Sequence, residues 1–395
     1  MARINENYDK LQGGYLFQEV ARRTKRFQEQ NPGVEILKLG IGNTVLPLAP
    51  KVAEGLRKGV EDLCSIETYA GYGDEQGNSE LRAALARRYA KRGASIDPLE
   101  ILVSDGAKPD SGNIQSIFRI ENVVAIQNPA YPVYVDTNVI AGRGDKIIYM
   151  PCTEENRFFP ELPNKADLIY ICSPNNPTGG VATKKQLKFF VDYAIDNKAV
   201  LIFDAAYGAF IRSDSLPRTI YEVDGAKECV IEINSFSKYA GFTGVRLGWT
   251  VVPFELNSAE FGKINALWDR RQTTFFNGAS NIAQAGGLAA LTEQGEEECQ
   301  WTIDYYMKNA SIIKTGVEGL GFKAFGGENA PYIWMKTPNR MPSWSFFDKL
   351  LNEAHVVATP GSGFGSCGEY YMRLSAFGIR ENIEKAVEAM QNLNL

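Results

Sequence analysis

Lys238 carries the most reactive chemistry in the chain. It ends the tetrad Ser235-Phe236-Ser237-Lys238, directly after the apolar run 230–233. Burial at such a strand end penalises the ammonium form, so the amine falls in pKa and becomes a candidate for Schiff-base formation. A second apolar run, 199–203, delivers Asp204 and then Tyr207. A carboxylate in that place is costly without a cationic partner. Arg246 follows Lys238 by eight residues. With Ser235, Ser237 and a helix opening near Ala107 and Lys108, its guanidinium has the makings of a phosphate cradle.

An amine for an aldehyde, a carboxylate for a ring nitrogen and a cradle for a phosphate are the three handles of pyridoxal 5′-phosphate. Other residues fit the same ring. Tyr131, after Asn128-Pro129-Ala130, has the aromatic face to stack on it, and Asn176 and Tyr207 carry donors for its phenolic oxygen. Each residue alone has a plainer reading. Lys238 could snorkel to the surface, Asp204 could cap a loop, and Ser173-Pro174-Asn175-Asn176-Pro177-Thr178-Gly179 is a good turn. Their joint occurrence in this order favours the cofactor.

These residues need a scaffold that gathers strand ends. Runs at 101–103, 167–172, 199–203, 230–233 and 247–252 read as buried strands. Between them lie helical patterns. Residues 79–92 put Leu81, Ala84, Leu85 and Tyr89 on one face, and Thr183 with Gln186 forms a capping box ahead of Leu187, Phe190, Val191 and Ala194. Pro109 is placed for a first helical position. Continuous apolar strands separated by helices predict an α/β protein with a mainly parallel sheet covered by helices on both faces. Ligands then bind beyond the carboxyl ends of the strands. The expected division is a large cofactor-binding domain, 46–294, and a smaller α+β domain from both chain ends, 1–45 and 295–395.

Composition removes several alternatives. The chain has 395 residues, with 42 basic against 47 acidic side chains and a formal charge of −5, so no global field draws it to nucleic acid or anionic lipid. The single histidine, His355, lies in an apolar stretch, which excludes histidine-rich metal sites and makes a Ser-His-Asp scheme depend on one structural-looking residue. Six scattered cysteines without C-x-x-C spacing read as reduced core residues. A polar first decade and no long apolar run predict a soluble, cytoplasmic protein without membrane contact. Gly363-Phe364-Gly365-Ser366-Cys367-Gly368 matches a dinucleotide fingerprint, but a strand rather than a helix is expected at 370–375, so a nicotinamide site is rejected.

The motifs around Asn176, Asp204, Lys238 and Arg246 resemble those of the fold-type I pyridoxal-phosphate-dependent aminotransferases. More narrowly, the chain is similar to the LL-diaminopimelate aminotransferase family. The likeness rests on Gly-Gly-Tyr-Leu-Phe (13–17), Leu-Gly-Ile-Gly-Asn-Thr (39–44), Gly-Tyr-Gly-Asp-Glu-Gln-Gly (71–77), Ser-Asp-Gly-Ala-Lys (104–108), Phe-Asn-Gly-Ala-Ser (276–280) and Thr-Pro-Gly-Ser-Gly-Phe-Gly (359–365). Asn43 departs from it, standing where the family often has an acid. The resemblance implies reversible amino transfer between glutamate and tetrahydrodipicolinate, giving LL-2,6-diaminopimelate and 2-oxoglutarate for lysine and peptidoglycan precursors. It also implies a homodimer with shared active sites.

Residue by residue, the resemblance implies that Tyr72, Ala107, Lys108, Tyr131, Asn176, Asp204, Tyr207, Ser235, Ser237, Lys238, Arg246 and Asn277 bind the cofactor. Lys238 is also the implied catalytic group. Arg373 would hold the substrate α-carboxylate with Asn176 and the backbone at Gly42, while Tyr15, Lys108, Tyr131, Glu75 and Asn277 would meet the rest of the substrate. Tyr72, Glu75 and Asn277 would come from the neighbouring subunit. An aspartate or aromatic aminotransferase, or a carbon–sulfur lyase of the same fold, is the alternative within the class. A non-catalytic ligand sensor on that fold is the alternative outside it.

Overall fold

The apolar runs assemble into one seven-stranded sheet in a computed structural model, which describes residues 2–11, 16–40 and 42–393. Its strands are β1 (Ile101–Ser104), β2 (Val124–Asn128), β3 (Ile147–Pro151), β4 (Leu168–Cys172), β5 (Val200–Asp204), β6 (Val230–Ser235) and β7 (Gly248–Val251). The spatial order is β1-β7-β6-β5-β4-β2-β3, and only β7 runs antiparallel to its neighbours. Strands β1, β2, β4 and β5 are buried at every position, as expected of a sheet covered on both faces. Apolar residues on the two sides fall into separate core clusters, with Phe203 and Ile171 in one and Ile202 and Tyr170 in the other.

A second, four-stranded antiparallel sheet is built from β8 (Ala324–Gly326), β9 (Tyr332–Lys336), β10 (Thr359–Pro360) and β11 (Tyr371–Ser375), in the order β8-β9-β11-β10. The two chain ends meet beside it. Leu37 and Lys38 pair in parallel with Val356 and Val357, and Arg23 of the helix Leu16–Gln30 forms an ion pair of 2.7 Å with Asp348. The 27-residue helix Glu293–Gly319 packs on both Tyr332–Lys336 of this sheet and the helix Pro50–Leu63.

Local chemistry explains most of the element boundaries. The Thr183–Gln186 capping box opens the helix Lys184–Asn197 as expected, with Gln186 Nα–H donating to the Thr183 hydroxyl at 3.2 Å. The glycine-rich stretch at 361–368 forms two short helical turns and leads into β11, so the dinucleotide reading stays rejected. Some expectations shift. The helix starts at Ala107, where Gly106 at φ 130° turns the chain into it, so Pro109 stands at its third position rather than its first. Strand β2 was not evident, since Gln127 and Asn128 interrupt the apolar pattern although both are buried. Cys64 is exposed rather than in the core.

Candidate active site

The carboxyl ends of β4, β5 and β6 open into a cavity of about 380 Å3. Twelve of the expected residues line it: Gly42, Ala107, Lys108, Tyr131, Asn176, Asp204, Tyr207, Ser235, Ser237, Lys238, Arg246 and Arg373. Asn43 lines it as well. Three others stand elsewhere on this chain. Tyr72 is 87% exposed, Asn277 is exposed, and Glu75 is half-buried outside the cavity. Tyr15 lies outside the described residues.

Lys238 sits in the short helix Phe236–Tyr239, started by Ser235, whose hydroxyl accepts from the Ser237 amide at 3.0 Å. Its Nζ donates to the Gly42 carbonyl and lies 5.2 Å from the Phe377 ring centroid. Burial, with the nearby Arg373 and Arg246 cations, pulls its pKa down to about 7. A substantial fraction of the amine is therefore neutral and nucleophilic near neutral pH.

Asp204 ends β5 at 8% exposure. One carboxylate oxygen accepts from the Tyr134 hydroxyl at 2.5 Å and the other from the Ala206 amide at 2.9 Å. Burial raises its pKa against these two donors. Among the described residues no cation pairs with it. The protonated ring nitrogen of pyridoxal phosphate is the partner this carboxylate lacks.

The phosphate end is shaped by close backbone approach. Arg246 adopts φ 73°, a left-handed conformation that costs a non-glycine residue about 1 kcal/mol. Its Nη1 donates to the Ser237 hydroxyl at 3.1 Å. A Cβ on Gly106 would stand 2.5 Å from Arg246 Nη2, so only glycine lets the guanidinium reach the helix that begins at Ala107. No side chain caps that helix start, and among the described residues Arg246 has no carboxylate in ion-pair contact. Ser237, Arg246 and the free helix start fit a phosphate dianion.

Arg373 faces Lys238 from β11. It is 1% exposed, donates to Asn176 Oδ1 at 2.8 Å and to the Gly40 carbonyl at 2.9 Å, and has Tyr332, Phe364 and Phe17 packed around it. No carboxylate pairs with it among the described residues, and its Nε is buried without a hydrogen-bond partner. A planar fork with an unused donor inside an apolar shell suits a carboxylate ligand.

Sequence reasoning missed Phe17, Cys172, Thr243, Tyr134 and Tyr332. Tyr134 had a local signal, lying three residues after Tyr131, to whose carbonyl its amide donates at 3.2 Å. Tyr332 had none, being brought to Tyr207 from 125 residues away. The Cys172 thiol also faces the cavity, but burial pushes its pKa up and keeps it un-ionised.

Residues 34–390 match the family model for aminotransferase class I and II. An L,L-diaminopimelate aminotransferase from Chlamydomonas reinhardtii is similar throughout, with 48% identity, 99% of this chain and 98% of that chain covered, and a TM-score of 0.94. The substrate-bound BacF structure from Bacillus subtilis is 29% identical over 100% of this chain and 98% of that one, with a TM-score of 0.87. An aromatic aminotransferase from Pyrococcus horikoshii is 27% identical, covering 93% and 97% of the two chains at a TM-score of 0.82.

Proposed function

The chain belongs to the class I and II aminotransferases, and from that premise we propose that it is an LL-diaminopimelate aminotransferase. As a family member it is a pyridoxal-phosphate-dependent transaminase. The proposed reaction moves an amino group reversibly between glutamate and tetrahydrodipicolinate, giving LL-2,6-diaminopimelate and 2-oxoglutarate. Full-length likeness to the algal diaminopimelate enzyme supports this substrate over aspartate or aromatic amino acids. The observation that carries the chemistry is Arg373, a buried guanidinium without a carboxylate partner among the described residues, in the same cavity as a depressed lysine.

When bound, pyridoxal phosphate withdraws electrons from the substrate α-carbon and so makes its proton acidic. Around it the chain's residues divide the work. Ser237, Arg246 and the helix start at Ala107 would hold the phosphate. Asp204 would keep the ring nitrogen protonated, Asn176 and Tyr207 would donate to the ring oxygen, and Tyr131 would cover a ring face. Lys238 would anchor the cofactor covalently. Displaced by the substrate amino group, its neutral amine would take the α-proton and return it at the former aldehyde carbon. Arg373, with Asn176 and the Gly42 backbone, would fix the α-carboxylate so that this proton faces Lys238. One amino acid must leave as its keto acid before the second substrate enters, so ping-pong kinetics follow.

We read the large domain as 46–294 and the small domain, which supplies Arg373, as 1–45 with 295–395. The active unit in this reading is a cytoplasmic homodimer. Exposed Ile66, Tyr69, Tyr72 and Phe275 support it: the segments carrying them are tied where Asn281 donates to the Ala70 and Gly71 carbonyls at 3.2 and 2.9 Å. A second copy there would cover this apolar patch and bring Tyr72, Glu75 and Asn277 to the neighbouring cavity, Glu75 facing the distal ammonium group. Six free cysteines fit a reducing compartment.

The test is the absorption spectrum of the holoenzyme before and after LL-diaminopimelate, with meso-diaminopimelate and aspartate as controls. Loss of the visible band with the LL isomer supports the proposal. A response to aspartate alone keeps the aminotransferase and discards the substrate.

A further inference from the structure

Tyr207 and Tyr332 bring two buried hydroxyls within 2.7 Å of each other, their ring centroids 5.1 Å apart and nearly edge to face. Two hydroxyls in contact share one hydrogen bond, so one of them donates and the other keeps its own proton for a different acceptor. If Tyr207 donated to Tyr332, it would turn only lone pairs toward the cavity. If Tyr332 donates, the Tyr207 proton is free to point into the cavity. The geometry around Tyr332 selects the second arrangement. The Arg373 guanidinium carbon lies 4.6 Å from its ring centroid, and a cation over a phenol makes the hydroxyl more acidic and a stronger donor. Burial raises both phenols and the same cation opposes it on both, but on Tyr332 it ranks directly after burial, whereas on Tyr207 it follows burial and the raising influence of Tyr332 itself.

Resting on the reading of this cavity as the pyridoxal phosphate site, we propose that Tyr332 is a positioning residue: it donates to Tyr207 and so holds the Tyr207 hydroxyl as a donor to the ring oxygen of the cofactor. That oxygen is acceptor-only in its ionised form, and a donor that itself accepts a hydrogen bond binds it more strongly. The chain Arg373–Tyr332–Tyr207 thus joins the carboxylate-binding cation to the electron distribution of the ring. Tyr332 touches neither substrate nor reacting atoms in this role. Its contribution is to remove the alternative orientation of Tyr207 and to strengthen its donation.

The readout is the pH midpoint of the holoenzyme's visible absorption change, which reports the proton shared between the ring oxygen and the Lys238 nitrogen. Weaker donation from Tyr207 leaves more negative charge on the ring oxygen, which holds that proton more tightly. Tyr332→Phe should therefore raise the midpoint by about 0.5 pH unit, and Tyr207→Phe should raise it further. In Tyr207→Phe/Tyr332→Phe the second substitution should add nothing. An unchanged midpoint in Tyr332→Phe would overturn the proposal. So would a Tyr332→Phe shift that persists in the Tyr207→Phe background, since Tyr332 would then act through Arg373 alone. A wild-type protein with no visible band after cofactor addition would instead remove the cofactor reading, and this proposal with it.

Discussion

Two cavities lie back to back in this molecule and share Ala206 and Ser235 in their walls. The one away from Lys238 is larger, about 510 Å3 against 380 Å3, and more of its lining residues are charged. Its charges are mostly satisfied within the chain. Arg88 and Lys91 both pair with Glu296, Arg212 with Asp304, and Arg218 with Asp214. Glu232 at its floor accepts from Tyr89, Thr219, the Ile220 amide and Asn234. In the smaller cavity, among the described residues, Asp204 has no cation, Arg373 has no anion and an unpartnered Nε, and Lys238 is depressed by burial and then by two guanidiniums. Unpaired buried charge is held at a cost in stability. It marks where ligands supply the missing partners, and cavity size does not.

The largest effect should come from the cavity with open valences. Lys238→Ala should lower transamination by about 10^4-fold or more, because both the covalent anchor and the proton carrier are lost. Cofactor should remain bound non-covalently, visible by dialysis and absorbance. Normal turnover in this variant would break the comparison outright. In the wild type, the rate at which cofactor-free protein captures pyridoxal phosphate covalently should rise with pH through about 7, since only the neutral amine attacks the aldehyde. A rate that rises only near the ordinary lysine range would show that burial and the two arginines do not depress Lys238.

Arg373→Ala should come next, with kcat/KM for amino acid substrates falling by roughly 10^2- to 10^3-fold. Arg373→Lys should restore little, because an ammonium lacks the fork that uses Nη1, Nη2 and Nε together. Full rescue by lysine would mean that charge alone, rather than the unused donor, distinguishes this cavity.

How much of this was legible beforehand follows from distance along the chain. Lys238, Asp204 and Asn176 could be read because each stands at the end of an apolar run, and a strand end fixes where its side chain goes. The fold class followed from the same runs. Strand β2 was lost to a local feature, the buried polar Gln127 and Asn128 that interrupt its apolar pattern. Tyr332 acts through Tyr207, a partner 125 residues away, and no local pattern encodes such a contact; Tyr134 stands near Tyr131 in sequence, but its bond to Asp204 spans 70 residues. The acidic run at 296–298 has the sequence pattern of a solvated helix face, yet Glu296 holds Arg88 and Lys91, and Glu298 accepts from the Lys51 amide. Sequence shows which residues are costly to bury, but not which of them find a partner.

A smaller effect, confined to one substrate, is expected of Glu75. Glu75→Ala should lose activity on LL-diaminopimelate by about 10- to 100-fold while the half-reaction with glutamate changes much less. Equal losses would make Glu75 structural. Mixing Lys238→Ala and Glu75→Ala subunits should restore about a quarter of wild-type diaminopimelate activity, since random pairing leaves one intact site in half of the dimers. No recovery after verified exchange would place Glu75 in its own subunit's site and remove the shared-site reading.

The smallest effect on catalysis belongs to the satisfied cavity. Glu232→Gln replaces one oxygen that accepts hydrogen bonds by an amide that donates them, against donors already aimed at it from Tyr89, Thr219, Ile220 and Asn234. At least one of these donors is then left facing another donor in a fully buried place, a loss of about 1–3 kcal/mol. Melting temperature should fall by a few degrees, while kcat of the folded enzyme stays within about twofold, because Glu232 lines only the larger cavity and reaches Ser235 indirectly, through Asn234 and the backbone of β6. A variant that keeps its stability but loses turnover would reverse the comparison. It would mean that the larger cavity's internal pairing is tuned to hold Ser235 and Ala206 in place for the smaller one, and that the two cavities work as a single unit.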